Sequence, residues 1–249
     1  MERTGTVKMT RLSVNLNKVA LLRNARDLNM PSVIEAARVV IDAGGEGITV
    51  HPRPDERHIR YSDAYELAKM LTVEYNIEGN PFLGRYMELM ENIRPAQATL
   101  VPDDPKANTS DHGWDVKGNV GRLTAVIKEL KGLGIRVSLF MDYDNLAGIK
   151  QAAKIGADRV ELYTEPYATA FSSGKELDGM IEKYALAAKT ACEAGLGVNA
   201  GHDLNLKNLG LFSEKVPGVL EVSIGHALIS EALYLGLGQT VREYIKILS

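Results

Sequence analysis

The 249-residue chain has one cysteine, so no intrachain disulfide is available to it. That residue, Cys192, lies in Lys189-Thr190-Ala191-Cys192-Glu193-Ala194, which reads as helix. It is expected to be an inert, packed thiol rather than a nucleophile. No apolar run reaches the roughly 18–20 residues that a membrane-spanning helix requires. Residues 1–11 are polar and lack the apolar segment of a signal peptide; residues 1–10 are expected to form a flexible arm, and a cytoplasmic setting follows. No run of Lys or Arg is present and the net charge is −3, which argues against a nucleic-acid surface. The patterns G-x-S-x-G and H-E-x-x-H are missing, as is G-x-G-x-x-G after the first strand. Their absence speaks against a serine hydrolase, a zinc peptidase and a dinucleotide-binding sheet.

What is present is a regular alternation of short strand-like and longer helix-like segments. Strands are expected at 12–15, 47–50, 76–78, 97–101, 136–140, 159–163, 197–199 and 218–223. Helices are expected at 31–42 with Ser32 as N-cap, then 62–71, 81–93, 120–133, 145–155, 175–194, 206–214, 227–235 and 240–248. Eight strand–helix units in about 250 residues fit one α/β domain over residues 11–249, a (β/α)₈ TIM barrel with extra helices. The stretch 18–30 is expected to be helical or irregular and to lie across one barrel face.

Barrel enzymes build their sites from the loops at the C-terminal ends of the strands. All five histidines, His51, His58, His112, His202 and His226, are expected just after strands and none on a helix. Histidine titrates near neutrality, which suits proton transfer in both directions. Gly201 and Gly225 fall in the loops after strands seven and eight, where barrels commonly bind phosphate through backbone N–H groups and a helix N-terminus. Arg23, Arg26, Arg53 and Arg57 offer forked donors for a second phosphate. No metal site is predicted.

Read together, Val14-Asn15 with Leu22-Arg23-Asn24-Ala25-Arg26, Val50-His51 with Arg53, Asp55 and Arg57-His58, Asn76-Ile77-Glu78, Glu161-Leu162-Tyr163, Asn199-Ala200-Gly201-His202 and Ile224-Gly225-His226 resemble the motif series of the pyridoxine 5'-phosphate synthase family. The resemblance runs from about Arg11 to the C-terminus. It implies a cofactor-independent condensation of 1-deoxy-D-xylulose 5-phosphate with 3-amino-2-oxopropyl phosphate, releasing phosphate and water, in a barrel commonly assembled as a homo-octamer. By position it implies catalytic roles for His51, Glu78 and His202, with Glu161 stabilising charge. It implies substrate contacts at Asn15, Asn17, Lys18, Arg26, Arg53, His58 and Thr109, with Asp203, Gly225 and His226 at phosphate-contacting positions. The chain departs from the family pattern with Asn17-Lys18 where Asp-His is usual and with Asp203 where Gly is frequent. A carboxylate beside a phosphate would repel it, so Asp203 is expected to point away or to accept a hydrogen bond from a hydroxyl. The long loop 103–119 is expected to close over the substrates. Two other readings stay open at this point: a metal-dependent isomerase or aldolase acting on a sugar phosphate, and a phosphometabolite-binding barrel without catalysis.

Overall fold

Leu12 and Val14, Ile48 and Val50, and Tyr75 and Ile77 occupy alternate positions of their segments. Alternate residues of a strand point to opposite faces, so each segment presents an apolar face and a second, more polar one. In the computed structural model, which describes residues 10–104 and 110–249, these segments are parallel strands that close into a barrel in sequence order. The strands are β1 (Arg11–Asn15), β2 (Gly47–Val50), β3 (Glu74–Gly79), β4 (Gln97–Leu100), β5 (Arg136–Met141), β6 (Arg159–Tyr163), β7 (Gly197–His202) and β8 (Val219–Ile224). The helices are α1 (Asn17–Asn24), α2 (Val33–Asp42), α3 (Tyr61–Met70), α4 (Tyr86–Ile93), α5 (Val120–Gly132), α6 (Leu146–Lys154), α7 (Glu165–Ser173), α8 (Leu177–Glu193), α9 (Leu209–Lys215), α10 (His226–Leu235) and α11 (Leu237–Leu248). This is the expected (β/α)₈ barrel with extra helices. Among the described residues no helix is long and apolar enough to cross a membrane.

The apolar strand face packs outward against the helices and forms the main core. Full burial of one such side chain is worth about 1.5–3 kcal/mol. The inward face is polar along much of the barrel. Ser13 bonds Thr49 (2.8 Å), Asn76 bonds Thr49 (3.2 Å) and Thr99 bonds Asn76 (3.0 Å), linking β1 to β4 around the inside. One layer lower, Gln97 of β4 reaches Glu221 of β8 (3.3 Å) and Asn199 of β7 reaches Gln97 (3.4 Å), both across the barrel. Arg159 bonds Asn199 and Glu221 in the same layer, and Arg136 and Arg11 meet Glu74 at the N-terminal mouth. Only at the opposite end do Val101, Phe140 and Tyr163 form a small apolar cluster inside.

Several boundaries differ from the sequence reading. The helix expected at 81–93 begins at Tyr86, because Asn80 caps a turn (Phe82 N–H to Asn80 Oδ1, 3.0 Å) and Gly84 takes φ +57°. Helix α7 was not expected; its sequence has a weak apolar stripe, and Tyr167 anchors it by donating to Asn208 O at 2.7 Å. Ser32 caps α2 as expected, accepting from Glu35 N–H. The stretch 18–30 is helical only through Asn24. Cys192 is exposed on α8 rather than packed, beside Gly218 of the turn before β8. Thr10, placed in the arm by the sequence reading, donates to Val219 O at 2.9 Å. Residues 1–9 lie outside the described part of the chain, as does Thr109.

Candidate active site

The polar inner face continues upward into a cavity of about 290 Å³ at the C-terminal end of the barrel. That volume is near the lower end of the range for small-molecule sites. Every site residue implied by the family resemblance lines it except Arg26, which is exposed and outside the lining, and Thr109, which lies outside the described residues; the further phosphate-site candidates Arg23, Arg57 and Gly201 are outside the lining too. His112 is also apart: it is exposed and bonded to its neighbour Asp111. His226 is the first residue of α10, so the expectation that no histidine stands on a helix fails by one position. Thr99, Val101, Ser110, Phe140 and Ser223 line the cavity as well and were not anticipated. Thr99, Phe140 and Ser223 occupy inward positions of β4, β5 and β8, a signal that strand alternation carries, and Val101 follows β4 directly; Ser110 lies in a loop with no such signal.

Each wall has a local cause. After β1, Asn15 Oδ1 accepts from the Asn17 N–H (3.0 Å) and Asn17 Oδ1 accepts from the His51 N–H (2.9 Å). These two asparagines therefore tie the β1 and β2 loops together. Asn15 Nδ2 also donates to Glu78 Oε2 at 3.3 Å. Gly225 lets the turn before α10 approach Asn15, since a Cβ there would lie 3.1 Å from Asn15 Cβ. Gly201 is excluded from carrying a side chain by Ser223 O and Glu161 Oε1, which a Cβ would meet at 2.6 and 2.8 Å. Arg23 is committed to structure: it is buried, pairs with Asp63 at 2.5 Å and donates to His58 O at 3.0 Å. Arg57 pairs with Asp55 at 2.7 Å.

The electrostatics of the centre follow from burial. The His51 ring lies between two carboxylates, with Nδ1 at 3.7 Å from Glu78 and Nε2 at 3.8 Å from Asp103. Burial, aided by Arg53, His58 and Arg57, nevertheless pushes His51 well below its ordinary pKa. Glu78 is pushed up to about 8, first by burial and then by Asp103 and Glu221, against Arg53 and the Asn15 hydrogen bond. Burial and the neighbouring Glu78 push Glu161 well above the usual carboxylate range. At neutral pH the centre thus holds a neutral imidazole next to a largely protonated carboxyl, a pair able to pass one proton in either direction.

Asp103, at the start of the loop after β4, is buried, bonded by Arg53 (2.6 Å) and Ser110 (2.8 Å), and raised in pKa chiefly by burial. It fixes Arg53 against the His51 wall. His58 is lowered to about 4 by burial, Arg53 and Lys18. Its Nδ1 accepts from the Ile59 N–H at 2.9 Å, so the neutral ring carries its proton on Nε2. His202, the last residue of β7, has φ +99° and bonds Asp203 at 2.6 Å. Holding a non-glycine residue there costs on the order of 1–3 kcal/mol. Among the described residues no group of three or more His, Cys, Asp or Glu side chains is gathered as a metal would need.

The family model for pyridoxal phosphate biosynthesis protein PdxJ matches residues 12–249. Pyridoxine 5'-phosphate synthase of Porphyromonas gingivalis is 55% identical over 236 residues, covering 95% of this chain and 98% of that one. The protein of the same name from Bacteroides fragilis is 55% identical over the same shares of both chains. Among solved structures, phosphoribosyl anthranilate isomerase from Thermus thermophilus aligns with a TM-score of 0.60 at 14% identity, over 96% of this chain and 98% of that one. At that identity the likeness is one of fold alone. Because the match spans all eight strands and both walls of the cavity, the chain belongs to the family of pyridoxal phosphate biosynthesis protein PdxJ.

Proposed function

We propose that the cavity condenses 1-deoxy-D-xylulose 5-phosphate with 3-amino-2-oxopropyl phosphate, giving pyridoxine 5'-phosphate, inorganic phosphate and water. The observation that carries this reading is the set of proton carriers on one cavity: His51 and Glu78 side by side, with Glu161 and His202 on the same lining. Imine formation, loss of phosphate and water, and ring closure each move protons on one bound intermediate. A well-placed acid or base contributes about 10²–10⁴-fold to such a step. Neutral His51 accepts a proton, protonated Glu78 returns one, and His202 donates at a second position of the intermediate. Glu161, beneath Gly201, faces the positive charge of an iminium.

The two phosphates have separate places in this reading. Gly225 and His226 at the N-terminus of α10 offer backbone N–H groups and the positive end of a helix. Lys18, Arg53 and the His58 Nε2–H serve the other substrate. Arg26 and Thr109 keep the substrate contacts that the family resemblance assigns them. Self-association, up to the octamer implied by that resemblance, accords with the apolar side chains that α1 and α10 leave exposed, Leu21, Leu22, Leu233 and Tyr234.

The test is turnover by protein stripped of metal ions. Both substrates together are expected to yield pyridoxine 5'-phosphate, read by fluorescence, and inorganic phosphate in equal amounts, unchanged by chelator. Activity that chelator abolishes and a divalent ion restores would favour the metal-dependent isomerase or aldolase instead. Tight binding of either substrate without product would favour a binding protein.

A further inference from the structure

Asp203 follows His202 directly, and the two side chains are hydrogen bonded, His202 Nδ1 to Asp203 Oδ2 at 2.6 Å. Consecutive residues of an extended strand point to opposite faces, so this contact requires the chain to leave strand geometry between them. It does so at His202, whose φ is +99°. The arrangement is pinned from several elements. The Asp203 N–H donates to Thr164 Oγ1 (3.3 Å), and that hydroxyl donates to Gly201 O (2.6 Å). The Asp203 carbonyl accepts from Asn208 Nδ2 (3.2 Å) and Asn205 Nδ2 (3.5 Å). Tyr163 packs against the imidazole, ring centroids 5.1 Å apart and planes at 84°. The strained backbone and the bonds around it bring the carboxylate to the imidazole rather than directing it at a phosphate.

We propose that Asp203 is a positioning residue for the reaction, whose carboxylate fixes the tautomer and orientation of His202 and stabilises its imidazolium. The inference rests on the functional reading above and refines it: a position that the family resemblance gives to phosphate contact serves the proton donor instead. With Nδ1 committed to the carboxylate, the transferable proton belongs to Nε2. The proton balance is simple. The imidazolium gives the Nε2 proton to the leaving oxygen of the intermediate, the ring becomes neutral with Nδ1–H still on Asp203, and solvent or the next water released reprotonates Nε2. The carboxylate remains ionised throughout.

Asp203 and Tyr163 touch the His202 ring, and Glu161, Lys18 and His226 share its lining of the cavity. Asp203 is hydrogen bonded to the ring. An anionic partner favours the charged form of an imidazole. Removing the carboxylate is expected to release Nδ1 and let the ring change tautomer and orientation, so that Nε2 no longer always carries the transferable proton.

The test compares the wild-type protein with Asp203→Asn, which keeps shape and an acceptor, and Asp203→Ala, which keeps neither. The rate at which diethylpyrocarbonate modifies His202, by attack on a ring nitrogen, is followed at one pH by peptide mass in the complete protein. His202 is expected to react roughly three- to tenfold faster in Asp203→Asn and Asp203→Ala than in wild type, because Nδ1 is no longer held by a carboxylate. In parallel, kcat is expected to fall roughly ten- to hundredfold in Asp203→Ala and less in Asp203→Asn, with KM for either substrate changed less than about threefold. Equal His202 modification rates in all three proteins would overturn the proposal, as would a raised KM with unchanged kcat, which would mark Asp203 as a substrate ligand. The modification rate decides the pairing without turnover. A wild-type protein that makes no product while its His202 modification rate still depends on Asp203 would therefore refute the functional reading and not the pairing.

Discussion

Replacing Glu78 with glutamine is expected to lower kcat by about 10²–10⁴-fold while making the folded protein more stable at pH 8. Both effects have one cause. The carboxyl lies against His51 and Asn15 in a site where burial pushes its pKa up to about 8. In the unfolded chain the same group titrates near about 4.3. Between those values the native state binds the proton and the unfolded chain does not, so native stability falls as pH rises across that window. The loss is complete above about pH 8 and amounts to a few kcal/mol, on the order of what a shift of this size implies. Glutamine cannot ionise and avoids it, and its amide oxygen still accepts from Asn15. The difference in unfolding free energy between variant and wild type should thus be small near pH 4.5, grow toward pH 8 and then level off. Urea unfolding at pH 5, 7 and 9, with kcat measured on the same preparations, reads both effects. A variant with normal kcat would remove Glu78 from the proton path.

Replacing Arg159 with leucine is expected to cost about 3–5 kcal/mol of stability, although the residue lies beneath the site and touches no substrate. Arg159 is buried and donates to Asn199 Oδ1 at 2.9 Å and to Glu221 Oε2 at 3.4 Å. Glu221 is buried too, held by Gln97 and Asn199 at 3.3 Å each. Burial, followed by the neighbouring Glu74, raises its pKa to about 7. Without the guanidinium that carboxylate loses its partner inside the barrel, and an uncompensated buried charge is among the costliest defects a fold can carry. The sign of the pH dependence follows. Glu221 takes up its proton as pH falls below about 7, so the penalty should be largest at pH 8 and smaller at pH 5.5. Leucine at both positions should recover most of the loss, because apolar residues of similar volume need no partner. Chemical unfolding of the two single variants and the double variant gives the coupling energy. A single variant within about 1 kcal/mol of wild type at pH 8 would mean that the ion pair contributes little.

Much of this was readable in the sequence, for physical reasons. Strands β2 and β6 were located to the residue because β-branched and apolar side chains dominate β2 and alternate with Arg159 and Glu161 in β6. Strand β7 was read as ending at Asn199, yet it continues to His202. Gly201 and His202 have no preference for extended structure; pairing with Tyr163 and Ile224 on the flanking strands places them there. Helix α7 escaped notice because its anchoring is tertiary, through Tyr167 to Asn208. The site was legible wherever it obeyed the barrel rule that strands end at the chemistry, which brought His51, Glu78, Glu161 and His202 together from four separate strands. It was illegible where two like residues divide the work. Nothing in the sequence distinguishes Arg23, locked to Asp63, from Arg26, which stays exposed. Nor does it reveal that Asp203 meets its own neighbour, since only the positive φ of His202 permits that contact. The polar inner face of the barrel was present in the alternation all along, in Glu74, Asn76 and Glu78 of β3, but reading strands by their apolar residues draws attention to the opposite face.

The central claim is that both substrates react in the C-terminal cavity. A crystal structure of the wild-type protein with bound pyridoxine 5'-phosphate tests it most directly. The account predicts the product phosphate within hydrogen-bonding distance of the Gly225 and His226 backbone N–H groups, with the pyridine ring lying between the Glu78 carboxyl and the His202 imidazole. Product bound outside this cavity, or with its ring out of reach of both Glu78 and His202, would contradict it.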